Sequence, residues 1–345
     1  SQKTIDGYRI IFAVLSEIIG DDTPVRAVSR AGCEQVRDLL RRLPPNASKR
    51  FKGIPLGKAA DRADALGLPK LSPGTVNSYL NNLAALFKYA EANWHCDRSP
   101  AEGLQVADKR RAKDKRHSFD REQLAAIFSA PLYTGCQDDR TGYAKRGPNV
   151  LRRGRFWVPL LSLYTGMRLN ECCQLLTGDV RNLDGVWCII ITEDGDTGDV
   201  EDQKRVKTAA GERYVPVHPE LMKLGFLAYV STQQKAGTLR LFHDLPKGKT
   251  GYSSDPFSKW FSRFLVSVGA KTDKTSFHSF RHTFRDAMRE ADLSPEYVNA
   301  LGGWAGSKTS DNYGSGLKPQ TLATAIAKLN HPGIDLSHLY TGLTN

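Results

Sequence analysis

Cysteine is sparse, and what there is lacks the spacing of a metal site. Cys33, Cys96, Cys136, Cys172, Cys173 and Cys188 are the six in 345 residues, and no two form a C-x-x-C pair. Reduced thiols in a cytoplasmic setting are therefore expected, not a zinc cluster or a disulfide framework. No run of about 18 apolar residues occurs, so no membrane span is expected. No secretory signal is visible. No G-x-x-x-x-G-K-[ST] loop is present, which argues against nucleotide-driven chemistry. The acidic stretch 193–202 lacks the ligand order of an EF-hand and reads as a solvated loop. No metal and no cofactor are expected. Internal repeats and low-complexity segments are missing as well.

What is present is positive charge. Forty-nine Lys and Arg stand against 37 Asp and Glu, a formal net charge of +12. Such an excess favours a polyanionic partner, nucleic acid first, with a merely solubilising surface as the alternative. The chain is 40% hydrophobic, enough for real cores, and its length suits two domains.

Residues 1–107 read as helices. Ile5, Tyr8, Ile11, Phe12, Leu15 and Ile19 recur near helical spacing. Ser29 is a candidate cap for a second helix over Glu34 to Leu40, and Leu43-Pro44-Pro45-Asn46 ends it. A short helical piece fits Ala59 to Ala65. Ser72-Pro73 opens a further helix with an apolar stripe of Val76, Tyr79, Leu80, Leu83, Leu86 and Phe87.

Residues 108–117 contain a run in which six of nine positions, 108 to 116, are basic: Lys109, Arg110, Arg111, Lys113, Lys115 and Arg116. Nothing there can bury itself, so this is the expected linker, and its cations are candidates for phosphate contact. Ser118 or Asp120 is placed to cap a helix running through Ile127. Gly135 to Arg155 reads as a polar surface loop, with Arg152, Arg153 and Arg155 as further phosphate candidates. Phe156 to Leu163 reads as a buried helix, Val186 to Thr192 and Arg213 to Val217 as strands of one hairpin, and Pro219 to Ala236 and Phe257 to Val268 as helices. The fold class expected is mainly α with a small antiparallel β-sheet.

The chemistry concentrates near the C-terminus. Ser276-Phe277-His278-Ser279-Phe280-Arg281 begins a helical stretch in which His278 and Arg281, at i and i+3, share a face. An imidazole donor beside a guanidinium suits an anionic oxygen. Leu301-Gly302-Gly303-Trp304 follows, then Asp311-Asn312-Tyr313-Gly314, which puts Trp304 nine positions before a tyrosine. Upstream stand Tyr164-Thr165-Gly166-Met167-Arg168-Leu169-Asn170-Glu171 and Lys207-Thr208 before Arg213-Tyr214-Val215-Pro216-Val217.

These elements, in this order, resemble the motifs of the tyrosine recombinases, the phage integrase family. The likeness runs over roughly two thirds of the chain. It implies a helical core-binding domain at 1–107 that clamps DNA, a basic linker at 108–117, a mixed α/β integrase-type catalytic domain at 118–316 and a C-terminal tail at 317–345. The activity implied is site-specific recombination, cutting and rejoining strands of double-stranded DNA through a 3′-phosphotyrosine intermediate. Tyr313 would be the nucleophile and Lys207 the general acid, with Arg168, Arg281, His278 and Trp304 on the phosphate oxygens and Glu171 orienting Arg168. Lys204 and Arg205 stand close enough to Lys207 to compete for its role. A type IB-like topoisomerase, or a DNA-binding protein of the same fold without catalysis, is the alternative. A homo-oligomer on DNA, dimer to tetramer, is implied, and the tail, with Leu322, Ile326 and Leu329 on one helix face, is expected to dock on a neighbouring subunit, with folding back on its own domain as the alternative.

Overall fold

The computed structural model describes residues 2–108, 116–193, 204, 212–304 and 317–340. The chain divides into two compact units, residues 1–111 and 112–345.

The first unit is helical: α1 (Gln2–Ile19), α2 (Arg30–Arg42), α3 (Ala47–Arg50), α4 (Leu56–Ala65) and α5 (Pro73–Ala92). Its caps are local. The Ser29 and Ser72 side chains accept hydrogen bonds from the N–H groups of Gly32 and Thr75 at the starts of α2 and α5, satisfying donors that a helix leaves free. Ile11, Val14, Val36, Leu40, Leu80, Leu83 and Phe87 meet in a buried core. These residues recur at helical spacing, and burying each is worth roughly 1.5–3 kcal/mol.

The second unit begins by tying itself down. The Phe119 N–H donates to Thr283 Oγ1 at 3.0 Å, and Asp120 caps α6 (Arg121–Phe128) in a reciprocal box with Gln123. After α7 (Pro131–Thr134), the segment read as a polar loop folds back on itself, Cys136 bridging to both Arg146 and Asn149. The central element is α8 (Gly154–Thr165), buried along its whole length. It stops at Gly166, whose φ of +64° is the left-handed conformation glycine adopts freely. A Cβ on Gly166 would also lie 2.3 Å from the Phe284 ring.

Next come α9 (Leu169–Cys173) and a three-stranded antiparallel sheet of β1 (Val180–Leu183), β2 (Val186–Ile191) and β3 (Arg213–Pro216), in that order. Ile189 pairs with Val180 on one side and Val215 on the other. The two-residue turn between β1 and β2, Asp184-Gly185, has φ of +49° and +88°, the signature of a tight hairpin turn whose twist matches the strands. The helix expected over Pro219 to Ala236 is two, α10 (Pro219–Lys223) and α11 (Phe226–Lys235), broken at Gly225 with φ +85°. Then follow α12 (Ser254–Ser267), α13 (Ser279–Glu290), α14 (Pro295–Gly302) and α15 (Pro319–Ile326). Helix α13 packs along α8, and Phe156, Trp157, Phe261, Phe264, Phe280 and Phe284 dominate the shared core.

The C-terminal segment belongs to this same core. Leu322, Ile326, Leu329, Leu336 and Leu339 are all buried in it, α15 lying against β2, β3 and α14. Within the single chain, residues 317–340 pack on their own domain. The physical reason is that β3 and α14 already present the apolar surface that a short amphipathic helix needs. Among the described residues, no helix is long and apolar enough to cross a membrane.

Candidate active site

Gly166 and its neighbours turn the chain from α8 into α9 and deliver Arg168 at the N-terminal end of α9. The Glu171 carboxylate accepts from the Arg168 backbone N–H at 2.8 Å and from Arg168 Nη1 at 2.6 Å. Its second guanidinium partner comes from the sheet: Arg213 Nη2, at the start of β3, donates to Glu171 Oε2 at 3.1 Å. Glu171 is 3% exposed. Burial alone would raise its pKa, but Arg213 and the two Arg168 donors outweigh burial and hold the carboxyl below its ordinary value. The expected role of Glu171 beside Arg168 thus has a concrete geometry, and Arg213 joins it as a residue that motif reading did not single out.

Arg213 and Arg168 also grip the turn after α14. Arg213 Nε donates to the Leu301 carbonyl at 2.9 Å, and Arg168 Nη2 reaches the Gly303 carbonyl at 3.4 Å. The turn fits only because it is glycine. A Cβ on Gly303, at φ +59°, would sit 2.7 Å from Arg213 Nη1, and one on Gly302 would overlap the Trp304 ring.

Helix α13 supplies the rest. Arg281 is 3% exposed, and its Nη1 donates to the Gly166 carbonyl at 2.6 Å. Its Nη2 is buried and has no hydrogen-bond partner. Burial first, then the charges of Arg168 and Arg213, push Arg281 down to about 9, with Glu171 opposing, so it remains a cation at neutral pH. His278, one turn before it, is driven down to about 4 by burial and by His282, Arg116, Arg281 and Arg168. The imidazole is neutral at pH 7 and keeps one N–H to donate. Its ring meets the edge of His282 at 5.0 Å. Trp304 lies under two guanidiniums, with Arg281 Cζ 4.1 Å and Arg285 Cζ 5.0 Å from its ring centroid. The resemblance implies a place for Trp304 on the phosphate oxygens; the structure displays its stacking face.

Arg168, Glu171, His278, Arg281 and Trp304 are therefore brought into one neighbourhood, with Arg213 and Arg285 added. Lys207 and Tyr313 lie outside the described residues, as do Lys109, Arg110, Arg111, Lys113 and Lys115 of the linker. Arg116 is exposed, and its charge is among those that lower His278. Lys204 is buried in an ion pair with Asp179, Nζ to Oδ1 2.5 Å, with both side chains under 5% exposed.

Arg152, Arg153 and Arg155 are not drawn into this cluster. Arg152 Nη1 donates to the Leu224 carbonyl at 2.5 Å, and its Nη2 to that of Leu339. Arg153 makes a two-pronged pair with the buried Asp139. Arg155 donates to the Asp139 and Arg140 carbonyls and stacks over Trp260 at 4.8 Å. In the chain as described, all three guanidiniums have partners within the domain.

Clustered guanidiniums, a neutral imidazole and a buried Arg281 Nη2 without a hydrogen-bond partner suit a tetrahedral anion. Among the described residues, no group of His, Cys, Asp and Glu could hold a metal ion.

The comparisons agree with this geometry. A family model described as the phage integrase family matches residues 153–317. A search of curated proteins finds no match. Among solved structures, the Tn1549 transposon integrase in complex with circular intermediate DNA aligns at a TM-score of 0.55 and 16% identity, over 98% of this chain and 92% of that one. A lambda integrase dimer bound to a COC′ core site aligns at 0.50 and 14%, over 90% and 71%. A lambda integrase tetramer bound to a Holliday junction aligns at 0.50 and 13%, over 90% and 73%. At these identities the structural likeness shows the fold.

Proposed function

Since residues 153–317 match a model described as the phage integrase family, we propose that the protein is a site-specific DNA recombinase that cuts and rejoins strands through a 3′-phosphotyrosine, with Tyr313 as nucleophile. The observation that carries this reading is Arg281. A nearly fully buried guanidinium with one N–H unpartnered, facing the charges of Arg168 and Arg213, is costly unless an anion completes it. A DNA phosphate is that anion.

In this reading the Tyr313 phenol, whose ionisation nearby cations favour, gives its proton to water, and the phenolate attacks the phosphorus. The P–Oη bond forms, the P–O5′ bond breaks, and the electron pair goes to the deoxyribose 5′-oxygen. Lys207 protonates that oxygen. Arg168 and Arg281 hold the non-bridging oxygens, and neutral His278 donates a further hydrogen bond. Glu171 and Arg213 fix Arg168. The covalent ester preserves the phosphodiester bond energy, so rejoining by a 5′-hydroxyl needs no nucleotide. The 108–117 linker would add phosphate contacts. The fold neighbours titled as DNA-bound dimers and tetramers support double-stranded DNA and a homo-oligomer as partners.

The test is covalent capture on random-sequence nicked duplexes, followed by a denaturing gel. The parent protein gives a protein–DNA adduct, and Tyr313→Phe binds DNA but gives none. An adduct from the Phe variant overturns the assignment of the nucleophile. Supercoil relaxation beside a two-site recombination assay separates a recombinase from a topoisomerase.

A further inference from the structure

Arg285 sits one turn beyond Arg281 on α13, and nothing in the reaction described so far uses it. Its Nε is buried without a hydrogen-bond partner, as is Arg281 Nη2. Both guanidiniums stack on the same indole, that of Trp304. Two like charges at i and i+4 on a helix repel, so the pair is unfavourable in the free protein. Arg281 feels the charges of Arg168 and Arg213 most strongly, then the opposing charge of Glu171, and then that of Arg285. One phosphodiester brings one negative charge and leaves this set well short of neutral. A stack on Trp304 holds each guanidinium plane in place, so its free N–H edge is pre-aimed.

We infer that Arg285 is a second phosphate ligand of this site, binding a DNA backbone phosphate next to the one that Arg168 and Arg281 hold. The inference rests on the reading of the protein as a strand-cutting enzyme. Trp304 then serves both arginines, its indole spacing the two cations so that each meets a different phosphate. Flanking charge would be neutralised only when the strand lies in register, which ties cleavage to correct seating of the DNA.

The experiment uses the full chain and the DNA recovered from its own covalent adducts on random-sequence nicked duplexes. That site is resynthesised with single neutral methylphosphonates at each phosphate flanking the cut. For the parent protein, one flanking position slows adduct formation by roughly 10- to 100-fold, the scale of one lost charged hydrogen bond. Arg285→Gln slows cleavage of natural DNA to a similar extent and loses sensitivity at that one position while keeping it at the others. Arg285→Lys restores part of the rate and the positional sensitivity, which a stacking role alone would not. Equal positional sensitivity in the parent protein and the folded Gln variant overturns the inference and leaves the parent reading intact. No adduct from the parent protein on any sequence overturns both.

Discussion

Arg168 and Arg213, 45 residues apart in sequence, hold the same buried carboxylate, that of Glu171. The pairing joins the α8–α9 turn to the start of β3, and through the Leu301 carbonyl to the end of α14. One carboxylate thus sets the relative position of three elements. Each of these elements leads to a proposed catalytic group: Arg168 itself, Lys207 through the hairpin, and Tyr313 through the chain after Trp304.

Removing that carboxylate leaves two cations buried together. Glu171→Ala is expected to lose about 3–5 kcal/mol of stability, the scale for breaking a buried ion pair from one side. Glu171→Gln keeps the volume and should lose less. Both should slow adduct formation far more than they weaken DNA binding, because the orientation of Arg168 is lost but its charge is not. Urea titration and single-turnover capture measure the two effects. An unchanged capture rate in a folded Gln variant would count against the orienting role.

Arg213→Lys tests the same junction from the strand side. Lysine keeps the charge but cannot span both Glu171 and the Leu301 carbonyl, so the capture rate should fall about tenfold or more, the scale of one charged hydrogen bond. If Lys substitutes without loss, the bridge from β3 to α14 is not what aligns the site.

The two lysines separate by chemistry. Lys204 is in a buried pair with Asp179, so Lys204→Ala should lower stability. Lys207→Ala should leave stability unchanged and slow cleavage of natural DNA by about 10²–10⁴-fold, the range of general acid help. A 5′-bridging phosphorothiolate at the cut needs little protonation, so it should rescue the Lys207 variant selectively. Selective rescue of Lys204→Ala would transfer the role.

How much of this was legible in the sequence follows from what each residue's signal depends on. His278 and Arg281 share a face by helical spacing, and Arg168 stands in a short turn motif, so local order reveals them. Arg213 and Arg285 carry no such mark: a basic residue at a strand start or on a helix face is usually solvated, and only the packing of β3 and α13 buries them. Strand β1 escaped notice because Arg181 and Asn182 face outward, leaving two apolar positions in four; the Asp184-Gly185 turn was its one local cue. The tail was read correctly as an apolar helix in need of a partner. Sequence could not say whose surface it would meet. The partners of Arg152, Arg153 and Arg155 within the domain were not legible, because Asp139 and backbone carbonyls as distant as that of Leu339 are remote or unmarked in sequence.

Acid should loosen the C-terminal segment. His218 and His331 flank the Tyr164 ring at 4.7 and 5.2 Å, and His218 Nε2 lies 3.1 Å from the Leu329 carbonyl. Burial lowers both to about 4 from an ordinary 6.5. The unfolded chain therefore takes up protons first as pH falls, and stability present above about 6.5 is lost progressively down to about 4. The loss should be on the order of 3 kcal/mol per imidazole. His331→Gln should flatten the decline in melting temperature over that range. A variant with the parent slope would place the acid sensitivity elsewhere.

The anchoring of Leu317 bears on where the proposed nucleophile, Tyr313, could act. Tyr214 Oη donates to the Leu317 carbonyl, and Gln320 Nε2 donates to that of Asp184 at 2.6 Å, so the chain re-enters the domain at a fixed point beside β3. Tyr313 is four residues upstream of that point. Covalent geometry alone allows four residues to span at most about 14 Å. While Leu317 stays seated, Tyr313 is on a short leash, and its hydroxyl can be presented only to a phosphate within that reach plus the length of its own side chain. Lending the tyrosine to a more distant site would first require this anchor to be cast off, so on the proposed reading the seating of Leu317 sets the radius of cutting.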